Sequence, residues 1–200
     1  IADTDEKKMR YVGGIYDTAQ GMDTLVSELS MLSKLSLDKV PFYFEKIKAK
    51  DFFEEYTAYV ADTLGKADIE FIYNFECDED REINIDPAQF RRVLNNLIDN
   101  SRKYGAEDGT AKIMLSVRNG ENGHTEISIE DNGQGVPADE RDKIFETFYR
   151  GDKARTGHKN GSGLGLAITK QITDRHGASI RADESELGGL KVIIDLPQAK

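Results

Sequence analysis

Apolar positions along the chain recur with two periods. Val12, Ile15, Ala19, Met22, Leu25, Leu29, Leu32 and Leu35 follow one another at steps of three and four. That spacing lays them along one stripe of a long helix of the bundle type. A lone helix is marginal in water, so the stripe requires a partner. Gly13, Gly14 and Gly21 each weaken this helix by roughly 1 kcal/mol relative to alanine. Pro41 punctuates its end. PFYFEKI (41–47) then reads as a short strand, and Phe52, Phe53, Tyr56, Tyr59, Val60 and Leu64 predict a helix over 51–64. EFIYNFE (70–76) alternates as a strand and REINID (81–86) is another. Asp86 and Pro87 have the chemistry of an N-cap and a first helical residue, and the helix they open runs to Tyr104. Its inward stripe is Phe90, Val93, Leu94, Leu97 and Ile98. AKIMLSV (111–117) and HTEISIED (124–131) form a hairpin about NGENG. A helix is expected over 164–176, and ASIRADE and GLKVIIDLP close the chain as strands about Gly188 and Gly189. Helices interleave with hairpin-joined strands. The fold class expected is therefore α+β: a two-layer α/β sandwich of a mixed sheet covered by helices on one face, preceded by a long bundle-type helix.

Two hundred residues hold one ordinary domain with an appendage. No stretch approaches the roughly 18–20 apolar residues of a membrane span, and the opening IADTDEKKMR is charged, unlike a signal peptide. The first residue is not Met, so the chain is expected to be a fragment of something longer. A single cysteine, Cys77, excludes an internal disulfide and a cysteine-based metal site and fits a reducing compartment. A net charge of −10 argues against nucleic acid as a partner. An anionic ligand then needs locally concentrated positive charge. Residues 150–159 supply it, with Arg150, Lys153, Arg155 and Lys159 against Asp152. His124, His158 and His176 are isolated and expected at the surface, and HExxH is absent. GxxxxGK[ST] is absent as well, and GSGLGLA departs from GxGxxG at Leu166.

Four segments carry more: NNLIDNSRKYG (95–105), EDNGQGV (130–136), IFETFYRGDKART (144–156) and GSGLGLAI (161–168). Taken singly, each has a plain explanation: solvated helix asparagines, a hairpin turn, a linker. Their joint order and spacing do not. Together they resemble the catalytic region of two-component sensor histidine kinases, in the superfamily shared with gyrase, the Hsp90 chaperones and MutL. LAITKQITDRHG and ELGGLKVIIDLP follow that family's closing pattern, and the resemblance covers nearly the whole chain. By it, residues 1–36 correspond to the second helix of a dimerisation and phosphoacceptor hairpin, and 40–200 to the catalytic ATP-binding domain.

The resemblance implies ATP and Mg²⁺ as ligands. Asn96 and Asn100 lie four apart on one helix face; Asn100 would give its amide oxygen to Mg²⁺, with Asn96 beside it. Magnesium is bound through few protein groups plus phosphates, which suits an amide. Lys103 would offset phosphate charge and Tyr104 would pack against adenine. Asp131 would accept from the exocyclic amine, while Gly133 and Gly135 allow close backbone approach. Gly161, Gly163, Leu164 and Gly165 would bring backbone amides and a helix N-terminus to the phosphates. Arg150 opens the basic stretch that would serve as an ATP lid, with Phe145 and Phe148 anchoring its base in the core.

Relatives that hydrolyse ATP have Glu where this chain has Asn96. An amide cannot act as a general base. The site is therefore expected to hold ATP without fast hydrolysis and to pass the γ-phosphoryl group to another nucleophile; the resemblance implies a protein-histidine kinase, which transfers that group to a histidine for relay to a response-regulator aspartate. No histidine of the chain matches the phosphoacceptor motif, so the acceptor is expected upstream of Ile1 and no catalytic residue is assigned. Leu190 stands where the family usually has Thr. The implied partners are ATP, a second copy through the hairpin helices, and a response regulator. A membrane enters only through upstream parts of a membrane-anchored parent, with this region cytoplasmic. Two rival readings stand beside this one. The helix over 1–36 counts against an anti-sigma-type serine kinase of the same superfamily. The intact Asn, Asp and Gly positions count against a non-catalytic, nucleotide-dependent interaction module.

Overall fold

A computed structural model describes residues 2–106, 110–151 and 161–199. Its main sheet has the strand order β2-β4-β5-β7-β6: β2 (Glu70–Glu76), β4 (Lys112–Asn119), β5 (Thr125–Asp131), β7 (Leu190–Leu196) and β6 (Ser179–Glu184). β2 runs parallel to β4 and every other pair is antiparallel, so the sheet is mixed as expected. The register sets Val117 opposite Ile127, Ile127 opposite Ile194 and Ile194 opposite Ile180. One row of β-branched side chains thus faces the same layer.

That layer consists of α2 (Ala49–Gly65), α3 (Pro87–Tyr104) and α4 (Gly165–Arg175). Phe53, Phe90, Leu94, Leu97, Ile168 and Ile172 are buried between the helices and the sheet. Each such side chain contributes roughly 1.5–3 kcal/mol through the apolar surface it removes from water.

PFYFEKI is not one strand. Only Glu45–Lys48 (β1) extends, pairing with β3 (Glu82–Ile85) in a separate two-stranded antiparallel sheet. Upstream of it, the Tyr43 N–H donates to Asp86 Oδ2 at 2.8 Å. Phe42 and Phe44 stack on each other at 5.9 Å and meet the His176 ring edge-to-face at 5.6 and 5.1 Å. Packing on His176 takes these residues out of the ladder.

His176 therefore corrects the expectation of a surface histidine: it is only 6% exposed. The Asp86 N–H donates to its Nε2 at 3.0 Å, which leaves the proton on Nδ1, and Nδ1 donates to Ile172 O at 2.8 Å. Asp86 meanwhile caps α3, its Oδ1 accepting from Gln89 N at 2.9 Å. One hydrogen-bonded knot thus joins the start of α3, the end of α4 and the segment before β1. Burial pushes the His176 pKa down, opposed by the Ile172 carbonyl and by Asp86. The neutral ring is the folded form. Its stabilisation is present above the unfolded histidine value of about 6.5 and is lost as pH falls below it. Melting temperature should accordingly drop between pH 7.5 and pH 5.5, and His176→Leu should flatten that drop while lowering stability at pH 7.5. Equal acid sensitivity in the two proteins would contradict this reading.

α1 (Ala2–Ser36) forms as its stripe predicts. Among the described residues, its last turns are the part that packs against the rest of the chain. Leu35 is buried, and Met31 and Leu32 pack against the core. Arg175 donates to Leu35 O at 3.2 Å, pairs with Asp38 and lies over the Phe42 ring at 5.6 Å. Earlier in the helix, Val12, Ile15, Met22 and Leu29 are exposed. Among the described residues no helix is long and apolar enough to cross a membrane.

Candidate functional site

Two adjacent asparagines of α3 face different neighbours. Tyr56, buried on α2, donates its hydroxyl to Asn95 Oδ1 at 3.0 Å. Asn96 Nδ2 points to α4, donating to Gly165 O at 3.2 Å and Thr169 Oγ1 at 3.4 Å. One turn on, Asn100 is half-buried, and its side chain makes no hydrogen bond among the described residues. Lys103 lies over the Tyr104 ring, 5.8 Å from its centroid. Burial lowers the Lys103 pKa and the Arg150 charge lowers it further, with Glu28 of α1 opposing. Lys103 and Arg150 are thus close enough to share one field, which favours an anion between them.

Asp131 ends β5 and is 3% exposed. Its Oδ1 accepts from the N–H groups of Gly133 at 3.0 Å and Leu190 at 3.1 Å, and its backbone oxygen accepts from Gly189 N at 3.1 Å. Burial raises its pKa. The amides of Gly133 and Leu190 and the Ser101 hydroxyl oppose that shift by favouring the charge. The segment after β5 is not a hairpin. Asn132 is pinned beside β4, accepting from Lys112 N at 2.8 Å and donating to Thr110 O at 3.0 Å. Gly133 is pressed onto the end of α3, where a Cβ would overlap the Tyr104 carbonyl oxygen. Gly135 has φ +64° and lies against Gly189.

The glycine-rich turn arrives on the other side. A Cβ at Gly161 would stand 2.9 Å from Lys103 Nζ and 3.0 Å from the Tyr104 hydroxyl. Gly163, at φ +71°, accepts from Phe148 N at 3.0 Å. Leu164 is fully buried and its N–H donates to Ser162 Oγ at 3.0 Å, so its contribution here is to anchor the turn. Gly165 opens α4, and a Cβ there would meet nothing within 4 Å. Among the described residues, the first position of α4 thus has room beside it.

Asn96, Asn100, Lys103 and Tyr104 lie on α3 itself, Asp131, Gly133, Arg150, Gly161 and Gly165 come up against it, while Gly135 lies against Gly189, Gly163 against Phe148 and Tyr149, and Leu164 is held in the turn before α4. Lys153, Arg155 and Lys159 of the basic stretch lie outside the described residues. Phe145 is in the core as expected, whereas Phe148 is 59% exposed with a backbone φ of +64°. Its amide is tied to Gly163, which turns the ring outward and corrects the expectation of a core anchor. Sequence reasoning misses Ser101, Gly189 and Leu190 as partners of Asp131. The pair Gly188-Gly189 is the signal that could have found them, because a Cβ at Gly189 would overlap the Asp131 carboxylate.

Among the described residues no group of three His, Cys, Asp or Glu side chains could hold a metal ion. The half-buried Asn100 amide fits magnesium only together with phosphate oxygens, which is how that ion is commonly held.

Residues 85–200 match the family model described as histidine kinase-, DNA gyrase B- and HSP90-like ATPase. The sensor histidine kinase WalK of Bacillus subtilis is 35% identical over 191 residues, covering 94% of this chain and 30% of that protein. The chain thus spans less than a third of that relative's length. The mycobacterial sensor histidine kinase MprB matches with a TM-score of 0.63 at 28% identity, over 78% of this chain and 98% of that one. Full-length ShkA, solved in complex with AMPPNP, matches with a TM-score of 0.76 over 95% of this chain and 38% of that one. At 21% identity, that likeness speaks to the fold alone. A mixed sheet under three helices, a buried carboxylate between two glycine turns and the match over 85–200 agree: the chain belongs to the histidine kinase-, DNA gyrase B- and HSP90-like ATPase family.

Proposed function

We propose that this chain is the catalytic ATP-binding part of a sensor histidine kinase, with the domain over 40–200 and α1 as the second helix of a dimerisation hairpin. The observation that carries the reading is Asp131, a buried carboxylate whose Oδ1 is fixed by two backbone amides at the end of a strand. Such a group accepts from the amine of adenine, while Tyr104 and the close backbone at Gly133 bound the base. Lys103, Arg150 and the N-terminal turn of α4 oppose the phosphate charge. Asn100 would hold Mg²⁺, with Asn96 beside it. The ion would neutralise charge on the phosphates.

Asn96 cannot deprotonate water, and its amide nitrogen is already engaged with α4. Hydrolysis should therefore be slow, and the γ-phosphoryl group passes to a positioned histidine and then to a response-regulator aspartate. Phosphoryl transfer of this kind asks for positioning and charge neutralisation. The exposed apolar positions of α1 support a homodimer formed through that helix. In a longer chain this region would lie on the cytoplasmic side of a membrane anchor.

Titration with Mg-ATP tests the reading. At a hundredfold excess over Kd, ligand binding adds about 2.7 kcal/mol to stability. That corresponds to about 5–11 °C in melting temperature for a chain of this size. No shift with millimolar Mg-ATP would overturn it.

A further inference from the structure

The residue before Asp131 does something its position does not suggest. Side chains alternate along β5, so Glu130 leaves the face of the sheet opposite to Asp131, away from the helices. It is nonetheless only 2% exposed. Its carboxylate meets Lys191 Nζ at 2.8 Å and accepts from Ser185 Oγ at 3.3 Å, Glu186 N at 3.4 Å and Ser128 Oγ at 3.4 Å. Lys191, Ser185 and Glu186 belong to the connection between β6 and β7 or lie at its edge.

That connection is closed on itself. Ser185 N donates to Gly189 O at 3.0 Å, Gly188 N to Ser185 O at 2.9 Å and Leu187 N to Ser185 Oγ at 3.0 Å. Its far end supplies the two amides that reach Asp131, Gly189 N to the backbone oxygen and Leu190 N to Oδ1. One carboxylate grips the turn from behind the sheet, and the turn sets the neighbouring carboxylate in front.

We propose that Glu130 is a positioning residue for base recognition: together with Lys191 and Ser185 it holds the Gly188–Leu190 turn so that Asp131 presents a fixed acceptor edge to the 6-amino group of an adenine nucleotide. The inference rests on the assignment of Asp131 to the base under the proposed function. It places the determinant of adenine selectivity partly on the opposite side of the sheet. Lys191 is part of the device because it offsets the Glu130 charge one residue from Asp131, where an unbalanced anion would disfavour a second one.

The test compares ATP with inosine triphosphate, which carries a carbonyl oxygen in place of the amine, by calorimetric titration of the full chain. The unaltered protein should prefer ATP. Glu130→Gln should narrow that preference by at least about tenfold, the size of one weakened charge-assisted hydrogen bond, with the loss confined to ATP. Ser185→Ala removes a single grip on the turn and should narrow the preference in the same direction by less. It also serves should Glu130→Gln fail to fold. An unchanged ATP preference in a folded variant of lowered melting temperature would make the role of Glu130 purely structural and overturn the proposal. Equal losses for both nucleotides would overturn it too. If the unaltered protein bound both nucleotides alike, the assignment of adenine to Asp131 would fall. If it bound neither, the nucleotide site itself would fall.

Discussion

Asp131→Asn should weaken ATP binding by roughly ten- to hundredfold, the loss of one hydrogen bond to a charged acceptor, and leave the protein folded. The asparagine keeps an Oδ1 to accept from Gly133 N and Leu190 N, so the two turns stay docked. Its other atom becomes an N–H₂ donor that meets the donor amine of adenine. Burial raises the Asp131 pKa against the pull of the Gly133 and Leu190 amides and the Ser101 hydroxyl, so the ionised form is the one that costs the fold. The same shift predicts a pH dependence in the unaltered protein. Binding needs the carboxylate, so affinity holds above the Asp131 pKa and falls as pH drops through it. Calorimetric titrations at a series of falling pH values, with folding followed alongside, check both statements. Undiminished ATP binding by Asp131→Asn would remove Asp131 from the base site.

Gly133→Ala should be the most damaging single methyl in the site. The added Cβ would overlap Tyr104 O, a backbone atom at the end of α3 that has no rotamer by which to move away. Overpacking of this kind costs up to about 3 kcal/mol, which is about 6–12 °C in melting temperature for a chain of this size. Part of the cost is functional, because separating the Asp131 turn from α3 also separates Asp131 from Tyr104 and Lys103. Gly21→Ala provides the contrast, since a Cβ there meets nothing within 4 Å and the residue sits in a helix interior. That substitution should leave the protein as stable as before or more so. A Gly133→Ala protein that melts and binds like its parent would mean that the turn and α3 are not coupled as described.

The features legible in the chain are those with local causes. Asp86 and Pro87 mark the start of α3 within four residues, and the cap forms as those residue types dictate. The alternation in KIMLSV, EISIED and KVIIDL sets which side chains face the helices, and the register agrees. Asn96, Asn100, Asp131 and the glycines are legible as a set through their order, and Gly133 and Gly161 come up against Tyr104 at the end of α3.

The misses have non-local causes. His176 is buried by Phe42 and Phe44, more than 130 residues away in sequence. Phe148 looks like a core residue beside Phe145, but a hydrogen bond to Gly163 sets its backbone at positive φ and turns it outward. β1 stops short of its apolar run because those same phenylalanines pack on His176. The amides that hold Asp131 come from a turn at residues 188–190, and no spacing rule reports which turn will meet which strand. Glu130 is equally hidden: in sequence it is an ordinary outward-facing strand residue, and its partners are assembled by the β5–β7 pairing.

Transfer of phosphate from ATP to histidine is read in the chemistry of the phosphoryl bond that forms. A longer chain that carries the proposed hairpin partner of α1 should be incubated with Mg-ATP labelled in the γ position. Label should appear on the protein that is lost in acid and kept in base, as phosphohistidine behaves, and a folded Asn100→Ala variant should take up almost none. Label that survives acid, or near-normal labelling of a folded Asn100→Ala protein, would contradict it.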